Sequence, residues 1–414
     1  MTTPLDIDRM LHPHEAHAVI AAQVERLSTE AVPLQEAFGR ILANDIVAHE
    51  PYPSFAASTM DGYAVLAADA SPWREVIGTQ NAGDTLQLEV TEGYCVRIMT
   101  GAPLPPGADA VVPVEATEMA DDHVVIHEED VSPGQNIRPV GIDIAAGERL
   151  ILSGTRLGAA EVGMLASLGI TPVPVVRKPR VSIISTGDEL VEPEQVPGPG
   201  QIRDANRFTI AAMLQHEPVE ISWIGIAPDD RDQLEALLAE RLAQDDLVLT
   251  SGGVSMGEKD YIKAILFDRE DIHLYFRRLF MKPGKPLTFA RLGNAFIFGL
   301  PGNPVSSMAT FDVFVRPAIH RLIGAHQIGL AQAHVRLLED VSTSDRIEYM
   351  RGIVTVGVNG ELVARTTGDQ RSSRLASYIN ANSYLVIKPR ETPYNAGEYV
   401  DALLTAAPSR KDPN

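Results

Sequence analysis

Residues 245–260, DDLVLTSGGVSMGEKD, decide the fold: a short apolar run that fits a buried strand, then a glycine-rich turn, then the acidic start of a helix. The same grammar recurs twice. RVSIISTGDEL (180–190) ends an apolar run in Gly187 with Asp188 and Glu189 beside it, and AFIFGLPGNPVSS (295–307) ends another in Gly299, Pro301, Gly302 and Asn303. In an open parallel sheet, loops after the carboxyl ends of strands line one crevice, where free backbone N–H groups and helix N-termini suit an anion. A ligand site is therefore the first expectation.

Outward from these loops, strands and helices alternate. VSIIS, a helix over 206–216, VEISWIGI, a helix over 230–243, DLVLT, a helix over 258–267, HLYF, LTFA, AFIFG and a helix over 303–323 follow one another. This order predicts a three-layer α/β domain with a mainly parallel sheet. Asn303 and Pro304 read as an N-cap and first-turn pair, since proline lacks an N–H that would be unpaired there anyway. Beyond 328, AHVRLLED, EYMRGIVTVG, ELVART and SYLVIKP are cut by VNG, TTGD and NAN, which fits a small barrel-like module.

Upstream, the first 45 residues carry helical spacing, with EAFGRILAND ending in a helix. From 46 to 147 the pattern changes to PYPSF, YAVLAAD, YCVRIM, DAVVPVE and HVVIHEE, a β-rich module. Helical period returns over 156–170, and PVPVVRKP (172–179) reads as a linker whose prolines break any helix. DDHVVIHEED reads as an acidic hairpin or loop. His12, His14 and His17 in HPHEAH open a helix without a second cluster, so a zinc site is not expected.

At 414 residues the chain calls for several domains. Lys plus Arg at 35 against Asp plus Glu at 55 leaves a net charge of -20, which repels polyanions and argues against nucleic-acid binding. Against that background RRLFMKPGKP (277–286) concentrates Arg277, Arg278, Lys282 and Lys285. The single Cys95 excludes an intramolecular disulfide, MTTPLDIDRM lacks the pattern of a signal peptide, and no apolar run reaches 18 residues. A cytoplasmic protein with no membrane span is expected.

Six motifs in order, STMDGYA (58–64), MTGAPLPPGADAVVPVE (99–115), STGDEL, SGGVSMGEKDY, MKPGKP and LPGNPVSS, make the chain resemble the molybdopterin molybdenumtransferase family, to which the E domain of gephyrin belongs. The resemblance covers roughly residues 8–405. It implies that adenylylated molybdopterin and molybdate are converted to molybdenum cofactor and AMP with help from a divalent cation, magnesium. It further implies a homodimer, contact with other molybdenum cofactor biosynthesis proteins, and four domains. These are a helical linker domain (1–46 with 148–178), an inserted β-rich module (47–147), an α/β molybdopterin-binding domain (179–327) and a C-terminal β-barrel-like domain (328–411).

Such substrates bring several negative charges to one place. Lys282 and Lys285 on a Pro-Gly turn can neutralise them, although the turn alone reads equally as a solvated basic loop. Ser251, Gly252, Gly253 and Ser255 offer hydroxyls and unblocked amides to phosphate or molybdate, where the plain alternative is a tight turn. Pro301, Gly302 and Asn303 form a third wall. Glu189, Asp229 and Asp260 each follow a strand, and carboxylates with phosphate oxygens are what magnesium prefers. Taken alone, Asp229 or Asp230 reads as an N-cap and Asp260 as a first-turn acid. The resemblance makes Asp229 and Asp260 the metal ligands, favours Glu189 over Asp188, and adds Asp61, Thr100 and Asp143, whose own reading is turn chemistry, through the β-rich module of a partner subunit. It also implies roles near substrate for Arg278, at a position where many relatives carry lysine, and for Arg351, Ser372 and Ser373.

Two other functions remain open on sequence: molybdopterin adenylylation from ATP, and a non-catalytic scaffold of the same fold. The extra β modules and the full set of acids and lysines favour the insertion enzyme.

Overall fold

The three apolar runs become neighbouring strands. A computed structural model describes residues 9–84, 87–128, 130–227, 230–252 and 261–409. The chain divides into two units, residues 44–153 with 159–173, and residues 1–43, 154–158 and 174–414.

The first unit holds a six-stranded sheet in the order Ala110–Pro113, Gly62–Val65, Tyr94–Ile98, Trp73–Gln80, His123–Ile126, Thr117–Ala120. Its core is small and β-branched, with Val65, Val112 and Val124 on one face and Val96, Ile98 and Val111 on the other. The acidic stretch is indeed a hairpin: Thr117–Ala120 pairs antiparallel with His123–Ile126 around Asp121 at φ +55°.

In the second unit the α/β strands are, in chain order, β1 (Arg180–Ser185), β2 (Glu220–Ile226), β3 (Leu247–Ser251), β4 (Ile272–Phe276), β5 (Thr288–Leu292) and β6 (Ala295–Leu300). They lie in the order β2-β1-β3-β6-β5-β4, the first four parallel and the last two antiparallel. A parallel strand covered by helices on both sides must be apolar on both faces. Val181, Ile183, Leu249 and Phe298 accordingly face one core, which includes Ile210 and Leu214 of helix α1 (Asn206–Leu214). Ile184, Val248 and Ile297 face another, with Leu234 and Leu238 of α2 (Arg231–Gln244) and Ile265 of α3 (Tyr261–Asp268). Asp230 caps α2 by accepting the Gln233 N–H at 3.0 Å. A continuous helical run over 304–322, with a π turn at Phe311–Val315, covers the first face.

The C-terminal strands β7 (Ala331–Leu337), β8 (Ile347–Val356), β9 (Leu362–Thr366), β10 (Ser383–Ile387) and β11 (Tyr399–Leu404) run β8-β9-β7-β11-β10 and close by pairing β10 with β8. This is the expected barrel, with five strands in the closed ring. Met281–Lys282 adds to its β8 edge, so the basic turn is anchored to the barrel.

Two sequence expectations fail. EAFGRILAND shares only its first residue with a 3-10 turn at Leu34–Glu36; Gly39, at φ +76°, breaks the run, and Ile41 and Leu42 bridge to Arg156 and Val175 as extended chain. PVPVVRKP holds a strand, Val173–Val176, paired with Thr29–Val32. Its other edge bridges Leu42 through Val175, with Val176 N–H donating to Ile41 O at 2.9 Å and Ala43 N–H to the Pro174 carbonyl at 3.0 Å; the N–H that proline lacks is replaced by Arg26 Nη1, which donates to the Ala43 carbonyl at 3.0 Å. In HPHEAH the His12 and His14 rings stack with centroids 5.8 Å apart, and His17 turns to another partner. The His17 ring stacks on Phe314 with centroids 4.8 Å apart, and burial first, then the nearby Arg321, pushes its pKa down to about 4.

Candidate active site

The parallel register places the ends of β1, β3 and β6 side by side: Ser185 is opposite Ser251, and Ser251 opposite Leu300. The loops after them therefore leave from one edge. Thr186 N–H donates to Ser251 O at 3.0 Å and Gly252 N–H to Leu300 O at 3.2 Å, which carries the ladder one residue into the loops. Gly252, at φ +87°, presses on Thr186: a Cβ there would lie 2.6 Å from the Thr186 carbonyl. Gly302 comes almost as near, with its own Cβ direction 3.8 Å from the Gly252 Cα. The glycines thus serve the close approach of three backbones at this rim. Thr186 Oγ1 is buried at this corner without a hydrogen-bond partner among the described residues.

Sequence reading missed the residue that ties the corner together. Asn206, at the start of α1, donates from Nδ2 to Ser251 Oγ at 2.8 Å and to the Gly302 carbonyl at 2.7 Å. An asparagine opening a helix reads as a cap, and only the fold reveals partners 45 and 96 residues away. Ser251 itself is buried, and its hydroxyl oxygen accepts this bond. Glu189 is exposed, and its carboxylate folds back over Gly187, where a Cβ would lie 2.6 Å from Oε2.

Asn303 occupies the N-cap position of the 304–322 helix, but its side chain does not cap it. Its Nδ2 donates instead to Ser372 Oγ at 3.2 Å, while Val305 N–H donates to the Ser372 carbonyl at 3.3 Å. These bonds close one side of a cavity of about 510 Å³ lined by Lys282, Lys285, Asn303, Ser372 and Ser373. Arg346, Arg371, Gln370 and Ser306 also line it, and none of these four was legible in the sequence. The cavity gathers four cationic side chains. Lys282 Nζ lies 3.3 Å from the buried Glu348 carboxylate, Arg371 pairs with Asp369 at 2.6 Å, and Arg346 with Asp345 at 3.4 Å. Lys285 is exposed and forms no ion pair among the described residues. Gly284 makes the turn possible: it sits at φ +104°, and a Cβ would strike Thr310 Cγ2 at 2.4 Å.

Two expected contacts lie elsewhere. Arg351 is buried beneath the 367–374 loop rather than in the cavity lining. Its Nε donates to Ser377 Oγ at 3.0 Å and its Nη2 to the Asp369 and Arg371 carbonyls at 3.4 Å, so it shapes the loop that presents Ser372 and Ser373. Arg278 also stays outside that lining, and its carbonyl accepts the Leu11 N–H at 3.0 Å. Asp229, Gly253, Ser255 and Asp260 lie outside the described residues.

Within the β-rich unit, the fold joins two motifs 39 residues apart: Thr100 donates to Asp61 Oδ1 from both its N–H, at 2.7 Å, and its Oγ1, at 2.8 Å. These two bonds, the backbone one first, hold the exposed Asp61 carboxyl below the usual carboxylate range. Asp143, in the same unit, pairs with Arg138.

A glycine-cornered rim thus stands beside a cationic cavity on an α/β domain, an arrangement whose charge suits an anionic ligand. Three family models together cover nearly the whole chain: the MoeA N-terminal region (domain I and II) at residues 11–169, the probable molybdopterin binding domain at 182–321, and the MoeA C-terminal region (domain IV) at 334–405. The molybdopterin molybdenumtransferase of Haemophilus influenzae is 38% identical over 379 residues, 90% of this chain and 93% of that one. Gephyrin of Dictyostelium discoideum is 36% identical over 94% of this chain, which spans 61% of gephyrin's length. Crystal structures of a molybdopterin biosynthesis MoeA protein from Pyrococcus horikoshii superpose with TM-scores of 0.82 and 0.78 at 30% and 32% identity, each covering 96% of this chain and 100% of the other. The chain belongs to the molybdopterin molybdenumtransferase family.

Proposed function

We propose that this chain inserts molybdate into adenylylated molybdopterin and releases AMP. The observation that carries this reading is the adjacency, through Asn303, of the glycine rim and the cationic cavity. The rim offers the backbone of the Gly302 loop to the phosphates, and the cavity offers Lys282, Lys285, Ser372 and Ser373 to a tetrahedral dianion. A nucleotide tail and a metal oxide can then be held side by side. The dithiolene sulfurs come from the pterin, so the buried Cys95 has no part in binding molybdenum.

In this reading Lys282 and Lys285 steady charge on the phosphate and molybdate oxygens, and Glu348 holds Lys282 at the cavity wall. Magnesium would be held by Asp229 and Asp260 together with phosphate oxygens, a donor set of hard oxygens that suits it. Among the described residues no group of three or more His, Cys, Asp or Glu side chains is placed to hold a metal. When bound, the cation polarises the phosphoanhydride that breaks as AMP leaves. Asp61, Thr100 and Asp143 act from the β-rich module of a second subunit in a cytoplasmic homodimer. Supporting an interface, that module exposes Tyr52, Phe55, Met60, Val140 and Ile142 near these polar groups. Transfer of substrate and product involves other molybdenum cofactor biosynthesis proteins.

Incubation with adenylylated molybdopterin and molybdate, against molybdopterin and ATP, tests the proposal. AMP release that requires molybdate is expected in the first mixture, and adenylylation in the second would reverse the assignment.

A further inference from the structure

A second cavity, of about 660 Å³, lies wholly within the larger unit and has no part in the proposed reaction. It is remote from the cleft. Helix α1 starts at Asn206, in the cleft, and ends just before His216 and Glu217, in this cavity's wall. The helical run that starts beside Asn303 likewise reaches the cavity at Arg316 and His320. At 1.5 Å per residue, the thirteen residues from Asn303 to Arg316 place the two sites about 20 Å apart.

The floor of the cavity is a charge cluster that satisfies itself. Glu217 is buried and accepts from Arg316 Nη1 and from His320 Nε2 at 3.0 Å. His320 Nδ1 accepts the Gly329 N–H at 3.0 Å, which fixes the imidazole proton on Nε2, facing Glu217. Arg316 also grips Asp312 through Nε at 3.0 Å and Nη2 at 2.7 Å. Burial by itself pushes the Glu217 carboxyl up, but His320, Arg316 and Arg156 outweigh it and leave a carboxylate. That acid is fully engaged and has little to offer an incoming cation.

The open side carries the opposite charge. The Arg156 side chain is 50% exposed, with Nη2 donating to the His216 carbonyl at 2.8 Å and Nη1 3.9 Å from Glu217. His216 and His326 are exposed on the same lining, and Ile41, Ile323, Leu330 and Leu404 supply an apolar wall. In a chain with a net charge of -20, a guanidinium and two imidazoles at the mouth of an apolar cavity form a local anion trap.

We propose that this cavity is a binding site for a small amphipathic anion, its carboxylate or phosphate head on Arg156, His216 and His326 and a compact apolar body against Ile41, Ile323, Leu330 and Leu404. The volume fits, since small-molecule pockets run to roughly 300–1,000 Å³ with mostly apolar walls and few polar anchors. The site is independent of the insertion reaction and stands or falls separately from it.

The test titrates the full chain with 8-anilinonaphthalene-1-sulfonate, an apolar ring system bearing one anion, and follows its fluorescence. One saturable site is expected, weakened about tenfold or more by Arg156→Gln and several-fold by His326→Ala, each checked for an unchanged melting profile. If Arg156→Gln unfolds the chain, the exposed His326→Ala and the imidazole C2–H resonances of His216 and His326, which should shift on saturation, decide the matter. Displacement by hexanoate but not hexyl phosphate identifies a carboxylate site, and the reverse a phosphate site. Absence of saturable binding, indifference to both substitutions, or displacement of the probe by AMP or molybdate, which would place it in the cleft, overturns the proposal.

Discussion

Removing the Asn206 carboxamide should loosen the active-site corner in a measurable way. Asn206→Ala deletes two hydrogen bonds, to Ser251 Oγ at 2.8 Å and to the Gly302 carbonyl at 2.7 Å. The two ends differ in cost. Gly302 is exposed, so water can replace the lost donor and the loss is about 0.5–1 kcal/mol. Ser251 is 2% exposed, so its hydroxyl loses a partner that water reaches poorly, at about 1–2 kcal/mol. Together the change amounts to about 1.5–3 kcal/mol. Because a chain of two units need not unfold in one step, the measurement is a calorimetric scan in which the transition of the larger unit should move down while that of the β-rich unit stays put. Release of the Gly302 loop should also misplace the rim, and displacement of about 1 Å costs catalysis roughly 100-fold. Asn206→Asp adds a finer test: it keeps the volume but turns a carboxylate oxygen toward the Gly302 carbonyl and adds a negative charge beside a phosphate site. It should weaken AMP binding more than alanine does. Parental melting, AMP affinity and turnover in both variants would refute the positioning role.

Three further outcomes follow from the geometry. Thr100→Val removes one of the two bonds that depress Asp61, so the Asp61 carboxyl should titrate closer to the ordinary value by carbon-13 NMR and molybdate-dependent AMP release should fall. Burial pushes the Asp69 carboxyl up, but Ser71, Gly93 and Arg74 outweigh it and hold it at about 2. Its stabilisation is therefore complete above about pH 4 and disappears as pH falls through about 2, and Asp69→Asn should flatten the acid-unfolding profile of the β-rich unit across that window. Burial also pushes the Cys95 thiol up to about 12, so the native protein should resist Ellman's reagent at pH 8 and react with one equivalent once unfolded.

The strands that end in the candidate site were legible because each is apolar on both faces and stops at glycine. That pattern survives any tertiary context: VSIIS, DLVLT and AFIFG each need burial on two sides, which only a helix-covered sheet supplies. The Asp61 and Thr100 motifs were also visible, although nothing in their spacing announces that one residue donates twice to the other. What stayed hidden depends on packing between distant segments. Glu348 meets Lys282 across 66 residues because a two-residue strand at Met281–Lys282 joins the barrel edge, a pairing too short to leave a sequence pattern. Arg351 shows the converse. Its position in the motif pointed toward substrate, yet its guanidinium is spent on two loop carbonyls and a serine, a role that only burial reveals. PVPVV was misread because proline counts against a strand in general, whereas here the Ala43 carbonyl opposite Pro174 takes its hydrogen bond from Arg26.

The most direct test of the account is the position of molybdenum itself. Crystals soaked with AMP and molybdate, measured on both sides of the molybdenum absorption edge, should give an anomalous peak in the cavity lined by Lys282, Lys285, Ser372 and Ser373, with the AMP phosphate on the rim formed by the Gly252 and Gly302 loops. A molybdenum peak away from those lysines, or a nucleotide bound at another edge of the sheet, would contradict it.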